Sequence, residues 1–182
     1  MLTSQFDYPL SPELIAQRPL ACRHESRLLV LGVDGVEHSR FDRLTGHLRP
    51  GDTVIINDTR VIPARLRGHK ATGGAVELLL VEGAGLRWRC MARGTGLRPG
   101  VDVALGEGVK AMLQSRQDGF WDVTFDADLE ADGLLSRIGE VPTPPYIHEP
   151  LCEGERYQTV YARDAGSIAA PTAGLHFTPE LL

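Results

Sequence analysis

Cysteine is scarce in this sequence of 182 residues and is not arranged in pairs. Cys22, Cys90 and Cys152 lie far apart and are odd in number, which argues against a disulfide framework and against a zinc site. The six histidines are equally scattered, and neither H-E-x-x-H nor H-x-x-x-H occurs. We therefore expect no bound metal.

Long hydrophobic runs are also missing. No apolar stretch approaches the ~20 residues that a membrane-spanning helix needs, and the opening MLTSQFDYPLSPEL lacks the basic flank and long apolar stretch of a signal peptide. The composition, 42% hydrophobic and 24% charged, is ordinary for a globular protein, and the length allows one or two domains with a real core. We expect a cytoplasmic protein with no membrane partner.

Standard nucleotide and nucleophile fingerprints are absent. There is no G-x-x-x-x-G-K-[ST] and no G-x-S-x-G, which argues against a P-loop and against a nucleophile elbow. The stretch GTGLRPG has the wrong glycine spacing for a dinucleotide-binding turn and precedes a predicted strand. We interpret it as a hairpin connection.

Charge is unevenly distributed along the chain, although the net charge is −5. Eight Lys or Arg residues and only two Glu residues occur from Arg60 to Arg98, whereas ten acidic residues and a single Arg occur from Asp118 to Glu155. A basic region on an acidic protein can still bind phosphates. Solvated strand faces explain the same pattern, and on charge alone we favour that interpretation.

The first sixty residues read as mixed α and β structure. SPELIAQ predicts a short capped helix, SRLLVLG and VEHSRF predict a hairpin around Asp34-Gly35, and FDRLTGHL predicts a helical turn. TVIIN is short and continuously apolar, which is typical of a strand buried on both faces.

After Pro63 the sequence pattern becomes typical of an all-β region. Five short runs rich in β-branched and aromatic residues are separated by Gly or Asp-Gly about every ten residues, as in an antiparallel sandwich or small barrel: AVELLLVEG, LRWRCMAR, VDVALG, VKAMLQSRQ and FWDVTFD. LEADGLLSRIG then looks helical, and VPTPPYIHEP looks extended. We predict an α/β domain in two segments, 1–62 and 153–182, with a β-barrel inserted at 63–152.

NDTR is the first candidate site, because it directly follows TVIIN and ligands of open α/β sheets bind at the carboxyl ends of strands. Asn57 and Asp58 can orient hydroxyl or amine groups, and Arg60 and Arg65 can hold a carboxylate or phosphate. A local Asx-turn, in which Asp58 accepts backbone N–H bonds, is the structural alternative.

AAPTAGLHFT is the second candidate site. Its small residues let a ligand approach the backbone, and His176 is placed to act as a general acid or base. A hydrogen-bonded core histidine is the structural alternative. The nearby ERYQTVYAR groups Tyr157 and Tyr161 with two arginines, which suits base stacking and phosphate contacts, or else forms an amphipathic helix with both tyrosines on the core.

Several of these stretches together resemble one enzyme family. FDYPLSPELIAQRP, PGDTVIINDTRVIPARLRGHKATGGAVELLL, VPTPPYI and ERYQTVYARDAGSIAAPTAGLHFT are similar, in this order, to S-adenosylmethionine:tRNA ribosyltransferase-isomerases of queuosine biosynthesis. Thr143 departs from the pattern, since the family more often has an apolar residue there. Members are about twice as long. The terminal TPELL, with Thr178 as N-cap and Pro179 at the first helical position, resembles the start of the family's next helix. We therefore expect an N-terminal portion.

The resemblance implies an incomplete α/β domain with an inserted, Greek-key-like antiparallel barrel of about six strands. It also implies transfer and isomerisation of the ribosyl part of S-adenosylmethionine onto 7-aminomethyl-7-deazaguanine in the tRNA anticodon, giving epoxyqueuosine, adenine and methionine. S-adenosylmethionine is then a consumed substrate, no cofactor is expected, and the enzyme is expected to be a monomer. A non-catalytic RNA-binding fragment of such an enzyme is the alternative.

Our hypothesis for the site combines the two candidate stretches. His176 and Asp58 are the candidate catalytic residues, and His176 is the candidate for proton transfer. Arg60 or Arg65 would hold the methionine carboxylate or a tRNA phosphate. The remaining substrate-binding candidates are Asn57, Thr59, Tyr157, Pro171, Thr172 and Gly174.

Overall fold

The computed structural model describes residues 1–126 and 131–182. In these residues, strands alternate with short 3-10 turns, and one α-helix follows the strand-rich region. The strands are β1 Arg27–Gly32, β2 Gly35–Arg40, β3 Thr59–Val61, β4 Arg65–Lys70, β5 Ala75–Ala84, β6 Arg87–Arg93, β7 Asp102–Gly106, β8 Val109–Gln117, β9 Phe120–Asp126 and β10 Asp164–Ser167, and the helix is α1 Ala131–Ile138.

A closed antiparallel barrel forms the centre of the protein, with strand order β4-β5-β6-β9-β8-β7. Its last pairing joins β7 to β4 through His69 opposite Ala104 and Lys70 opposite Val103. The predicted barrel is confirmed, and the five apolar runs are five of its six strands. All six strands fall inside the predicted insert 63–152, whose boundaries remain a prediction.

Alternation along the barrel strands separates an apolar interior from a polar exterior. Inward-facing residues are fully or almost fully buried, as expected when successive side chains point to opposite faces: Leu66, Val76, Leu78, Leu80, Cys90, Val103, Ala111, Leu113, Trp121, Val123 and Phe125. Each large buried side chain stabilises the fold by about 1.5–3 kcal/mol. Leu134 and Leu135 of α1 pack on the same core, so the helix is anchored to the barrel.

Strand β4 was not among the runs predicted from residue type. Four of its six residues are Arg, His or Lys, which hides the inward pattern of Leu66 and Gly68. Gly68 is required where β4 meets β7, because a β-carbon there would press on the Ala104 carbonyl oxygen and lie 2.9 Å from the Leu105 side chain. The glycine therefore permits the close strand approach that closes the barrel.

The hairpin interpretation of GTGLRPG is wrong. Strand β6 pairs with β9, and β7 pairs with β8 and β4, so residues 94–101 cross between strands that are not neighbours. The amine of Lys70 bonds the carbonyl of Thr95, which holds this connection near the end of β4. The crossing gives the barrel the Greek-key character that was expected.

Two small two-stranded sheets are separate from the barrel. The β1–β2 hairpin is confirmed, although its two-residue turn is Val33–Asp34, one residue earlier than predicted. The 3-10 helix Phe41–His47 confirms the helical turn. Strand β3 pairs in parallel with β10, which brings the segment that carries NDTR beside the segment that follows ERYQTVYAR.

Two predicted helices are only 3-10 turns. SPELIAQ forms a turn at Pro12–Leu14, and the Ser11 side chain makes no capping bond. ERYQTVYAR forms a turn at Gly154–Tyr157 and then continues without a helix, so the amphipathic-helix alternative is wrong. Isolated short helices are marginal without packing, and the side chain of Gln158 bonds β3 instead.

The TVIIN prediction is also wrong. Residues 53–57 form no strand, and Val54, Ile55 and Ile56 are 52%, 91% and 45% exposed. An apolar run becomes a buried strand only when neighbours cover both faces, and within the described residues no strand pairs with it. The β1–β2 hairpin likewise exposes Leu29 and Leu31, so both segments carry uncovered apolar surface.

The remaining predictions concern the chain after the barrel. LEADGLLSRIG is helical at Ala131–Ile138, and its first two residues lie outside the described residues. VPTPPYIHEP is extended apart from one turn, in which Ile147 N–H bonds the Pro144 carbonyl. Thr178 accepts from Leu181 and Leu182, so TPELL forms a single helical turn. Across the described residues, no helix is long and apolar enough to cross a membrane.

Candidate functional site

Gln158 connects β3 to the segment after the barrel. Its side-chain oxygen accepts from Val61 N–H at 2.9 Å, and its amide nitrogen donates to the Val61 carbonyl at 2.8 Å. Both residues are buried, at 4% and 3% exposure. The amide side chain therefore satisfies Val61 as a neighbouring strand would. This pair fixes residues 155–163 beside NDTR.

Asn57, rather than Asp58, forms the local Asx-turn. The Asn57 side-chain oxygen accepts from Thr59 N–H at 2.9 Å. Asp58 instead binds Arg163, whose Nε donates to Asp58 Oδ2 at 3.1 Å and whose Nη2 donates to the same oxygen. This hydrogen bond holds the pKa of Asp58 below its usual range. Asp58 is therefore an ionised carboxylate at neutral pH.

Thr59 and Arg60 complete this part of the site. The guanidinium of Arg60 is ion-paired with the exposed carboxylate of Glu155. The hydroxyl oxygen of Thr59 is buried and has no hydrogen-bond partner among the residues that the structure describes. NDTR thus presents one carboxylate and one guanidinium, each already paired with the segment 155–163.

APTAGLHFT folds as a 3-10 helix over Thr172–His176. Gly174 N–H donates to the Pro171 carbonyl at 2.8 Å, which starts the helix. Gly174 is buried, and a β-carbon there would collide with the Tyr161 hydroxyl and lie 2.8 Å from Thr159 Cγ2. The space beside this glycine is occupied by those two side chains.

His176 is half-buried against aromatic rings. Its ring lies 5.2 Å from that of Phe41 at a tilt of 52°. Burial lowers the pKa of His176, and the positive charge of Arg23 lowers it further. Arg23 is held in place by donating to the carbonyls of Gln158 at 2.6 Å and Glu155 at 2.8 Å. The imidazole is therefore neutral at pH 7, able to accept a proton and equally suited to packing.

The two candidate stretches meet through residues 155–163 rather than directly. Asp58 and Arg60 pair with the two ends of this segment, Arg163 and Glu155. Gly174 packs against Thr159 and Tyr161, between those ends. Within the described part of the chain, no hydrogen bond or ion pair joins His176 to Asp58 or to Arg60.

Arg65 and Tyr157 lie in a separate cleft of about 560 Å³ on the outside of the barrel. We call it the barrel cleft and define it by its rim, Arg65, Arg67, Glu77 and Arg93; its floor, Leu79 and Met91; and its wall, residues 142–148 with Tyr157. Arg65 Nη2 donates to the Thr143 carbonyl at 2.8 Å, which ties rim to wall. Because the acceptor is the backbone carbonyl of Thr143, the bond does not depend on which side chain position 143 carries.

Burial affects two polar side chains of this cleft, Arg65 and Tyr157. The side chain of Arg65 is only 16% exposed, and burial raises the pKa of Tyr157. Tyr157 is therefore a neutral phenol, and Arg65 a fixed cation. Sequence reasoning missed Arg67, Arg93 and Met91. The signal for Arg67 and Arg93 was the basic run from Arg60 to Arg98, which was attributed to solvated faces because strand register cannot be read from composition.

The comparisons with known proteins agree with the resemblance. The family described as queuosine biosynthesis protein matches residues 3–182, and the chain belongs to that family. Among curated relatives, it is 48% identical to the S-adenosylmethionine:tRNA ribosyltransferase-isomerase of Pelobacter propionicus, covering 100% of this chain and 56% of that protein. The protein of the same name from Anaeromyxobacter sp. is 49% identical, with 100% and 55% covered.

A solved structure is also similar. The S-adenosylmethionine tRNA ribosyltransferase of Thermotoga maritima is 33% identical, with 98% of this chain and 52% of that chain covered and a TM-score of 0.37. The chain spans about half the length of the relatives that it matches.

Proposed function

We propose that this chain is part of an S-adenosylmethionine:tRNA ribosyltransferase-isomerase. The observation that carries the proposal is that relatives with this name match the whole chain at nearly half identity. A cleft with three arginines on its rim supports it, because a polyanionic RNA substrate needs a cationic surface. A monomeric state and a cytoplasmic location belong to the same proposal.

The proposed reaction transfers the ribosyl part of S-adenosylmethionine to the amine of 7-aminomethyl-7-deazaguanine in the tRNA anticodon and isomerises it to the epoxycyclopentanediol of epoxyqueuosine. The C5′–S and C1′–N9 bonds of the donor break, and their electron pairs leave with methionine and adenine; the furanose C1′–O4′ bond breaks as well. New bonds join the amine nitrogen to C1′, C5′ to C1′ and O4′ to C5′. C5′ and the amine each lose a proton, and adenine takes up one of the two. The transfer therefore needs no oxidant or reductant. The sulfonium acidifies C5′, so a base must take that proton, and a proton donor near the ring nitrogens of adenine assists its departure.

In this proposal His176 transfers a proton, because its neutral ring is a base at pH 7. Asp58 supplies a fixed negative charge, and Arg60 or Arg65 holds the methionine carboxylate or a tRNA phosphate. Asp58 is ion-paired with Arg163, and Arg60 with Glu155. Substrate would therefore bind either beside these intact ion pairs or after displacing Arg163 and Glu155. The other predicted lining residues are Asn57, Thr59, Tyr157, Pro171, Thr172 and Gly174.

The test substitutes His176→Ala in a full-length protein that contains this chain. We expect kcat to fall by at least ~100-fold, because general acid–base catalysis contributes about that much. The product is followed by mass spectrometry of the anticodon nucleoside. His38→Ala, on the exposed face of β2, is the matched control and should leave kcat unchanged. If the His176→Ala protein turns over normally, the role of His176 is only to pack against Phe41.

The second candidate is a fragment that binds RNA without catalysis. The exposed run Val54–Ile56 favours it, because the apolar segment leading to NDTR is uncovered in this chain. This candidate predicts tRNA binding with a steep salt dependence and no release of adenine.

A further inference from the structure

Strand register places two rows of side chains on the outer surface of the barrel. In the first row, Glu77 of β5 lies opposite Arg67 of β4 and Arg93 of β6. In the second row, Leu79 lies opposite Arg65 and Met91. Because neighbouring strands lie about 4.8 Å apart, each row spans three side chains across roughly 10 Å. A row of two arginines and one glutamate thus lies directly beside a row of one arginine and two apolar side chains.

The cations of this surface are not fully neutralised. Arg67 pairs with Glu140 at 3.1 Å, and Arg65 Nε lies 3.9 Å from Glu77. Arg93 is exposed and forms no ion pair with any residue in the described part of the chain. Three arginines thus face two carboxylates, Glu77 on the rim and Glu140 beside Arg67, which leaves the guanidinium of Arg93 as the uncompensated positive charge.

The floor and wall of the barrel cleft suit a flat apolar group. Met91 is 44% exposed although it lies on a well-packed strand, and Leu79 is only partly buried beside it. The wall includes three prolines within 142–145, which stiffen the segment, and Arg65 fixes its distance from the barrel. A preformed cavity of about 560 Å³ is large enough for one nucleotide.

We propose that the barrel cleft binds one nucleotide of an RNA strand, with the base on Met91 and Leu79 and the phosphate on Arg93 and Arg67. This rests on the proposed function, which makes RNA the substrate, and it adds a subsite on the barrel. The sulfonium donor is a poor fit, because S-adenosylmethionine carries a net positive charge and the rim repels it. Arg93 is the phosphate ligand, since it is the rim arginine without a protein anion.

The test measures binding of a fluorescein-labelled anticodon stem-loop RNA to this chain by anisotropy, at several salt concentrations. Arg93→Gln should weaken binding at least about 5-fold at low salt and reduce the slope of log K against log salt by about 0.7–0.9, as expected for one lost phosphate contact. Met91→Gln, which keeps a similar length and adds no charge, should weaken it about 5-fold, because the apolar contact with one base is lost.

Arg87→Gln is the matched control. Arg87 is an exposed arginine on the same strand, six residues and about 20 Å away from Arg93. The control should leave affinity within about 1.5-fold. Equal weakening by Arg93→Gln and Arg87→Gln would mean diffuse charge attraction only, and would overturn the subsite.

Three further outcomes bear on this inference and on the proposed function. Site-specific RNA binding without adenine release would retain the subsite and count against catalysis by this chain. Adenine release with unchanged RNA affinity in Arg93→Gln would retain the function and overturn the subsite. Competition of RNA by S-adenosylmethionine, abolished in Arg93→Gln, would assign the cleft to the donor and overturn the subsite too.

Discussion

Replacing Gln158 tests how the candidate site is assembled. In Gln158→Leu the side chain keeps a similar size but loses both bonds to Val61. Val61 is buried, so water cannot replace them. Each unsatisfied buried backbone group costs about 1–3 kcal/mol, and two such groups give a loss of about 2–6 kcal/mol.

The assay is amide hydrogen exchange by NMR. Strand β3 has three residues, so the loss should open β3 locally and leave the barrel closed. We expect exchange at Val61 to rise at least ~30-fold, the equivalent of 2 kcal/mol, while Leu78 in the barrel core is unchanged. Gln117→Leu, on the exposed end of β8, is the control. Exchange at Val61 within about 2-fold of wild type would refute the reasoning.

Gln158→Glu makes the same bonds dependent on pH. A protonated carboxyl can donate to the Val61 carbonyl, whereas a buried carboxylate cannot, so folding should raise the pKa of this glutamate above the usual ~4.3. A raised folded pKa gives stability that is present below the unfolded pKa and is lost as pH rises through the folded value. Val61 should therefore be protected near pH 4 and exchange freely near pH 7.

Three other predictions follow from local contacts. Burial raises the pKa of Cys90 to about 12, so a thiol reagent at about pH 8 should label the two exposed cysteines of the native chain and reach Cys90 only after unfolding. Arg163→Gln should raise the pKa of Asp58 toward its ordinary value in an NMR titration, because Arg163 supplies the hydrogen bond that lowers it. An unchanged pKa would show that a group other than Arg163 lowers it. Gly174→Ala should destabilise the chain by about 1–3 kcal/mol in urea, since its β-carbon meets packed atoms, whereas Gly46→Ala, with open space around it, should change stability by less than about 0.5 kcal/mol.

The barrel was predictable from sequence because it is held by local alternation. Five strands show inward apolar residues at every second position, and glycine turns separate most of them. Strand β4 lacks that signal, because its outward residues are basic and one inward position is Gly68. The path of the chain from β6 to β7 was not predictable either, since pairing order depends on contacts between residues distant in sequence.

The candidate site was predictable in its parts and not in its arrangement. NDTR was found from the strand signal of TVIIN, although that segment is exposed, because burial depends on what covers a segment. Gln158 gave no signal in the sequence, since any polar residue can lie on a surface. The barrel cleft needed strand register to bring Arg67 and Arg93 beside Met91, and register is a property of the folded sheet.

The most direct test of the central claim is release of adenine. A full-length protein that contains this chain would be mixed with S-adenosylmethionine and an anticodon stem-loop that bears 7-aminomethyl-7-deazaguanine, and adenine would be quantified by chromatography against a control without protein. The account predicts adenine release that depends on the modified RNA and falls with His176→Ala. No release above the control, while a relative is active under the same conditions, would contradict the proposed function.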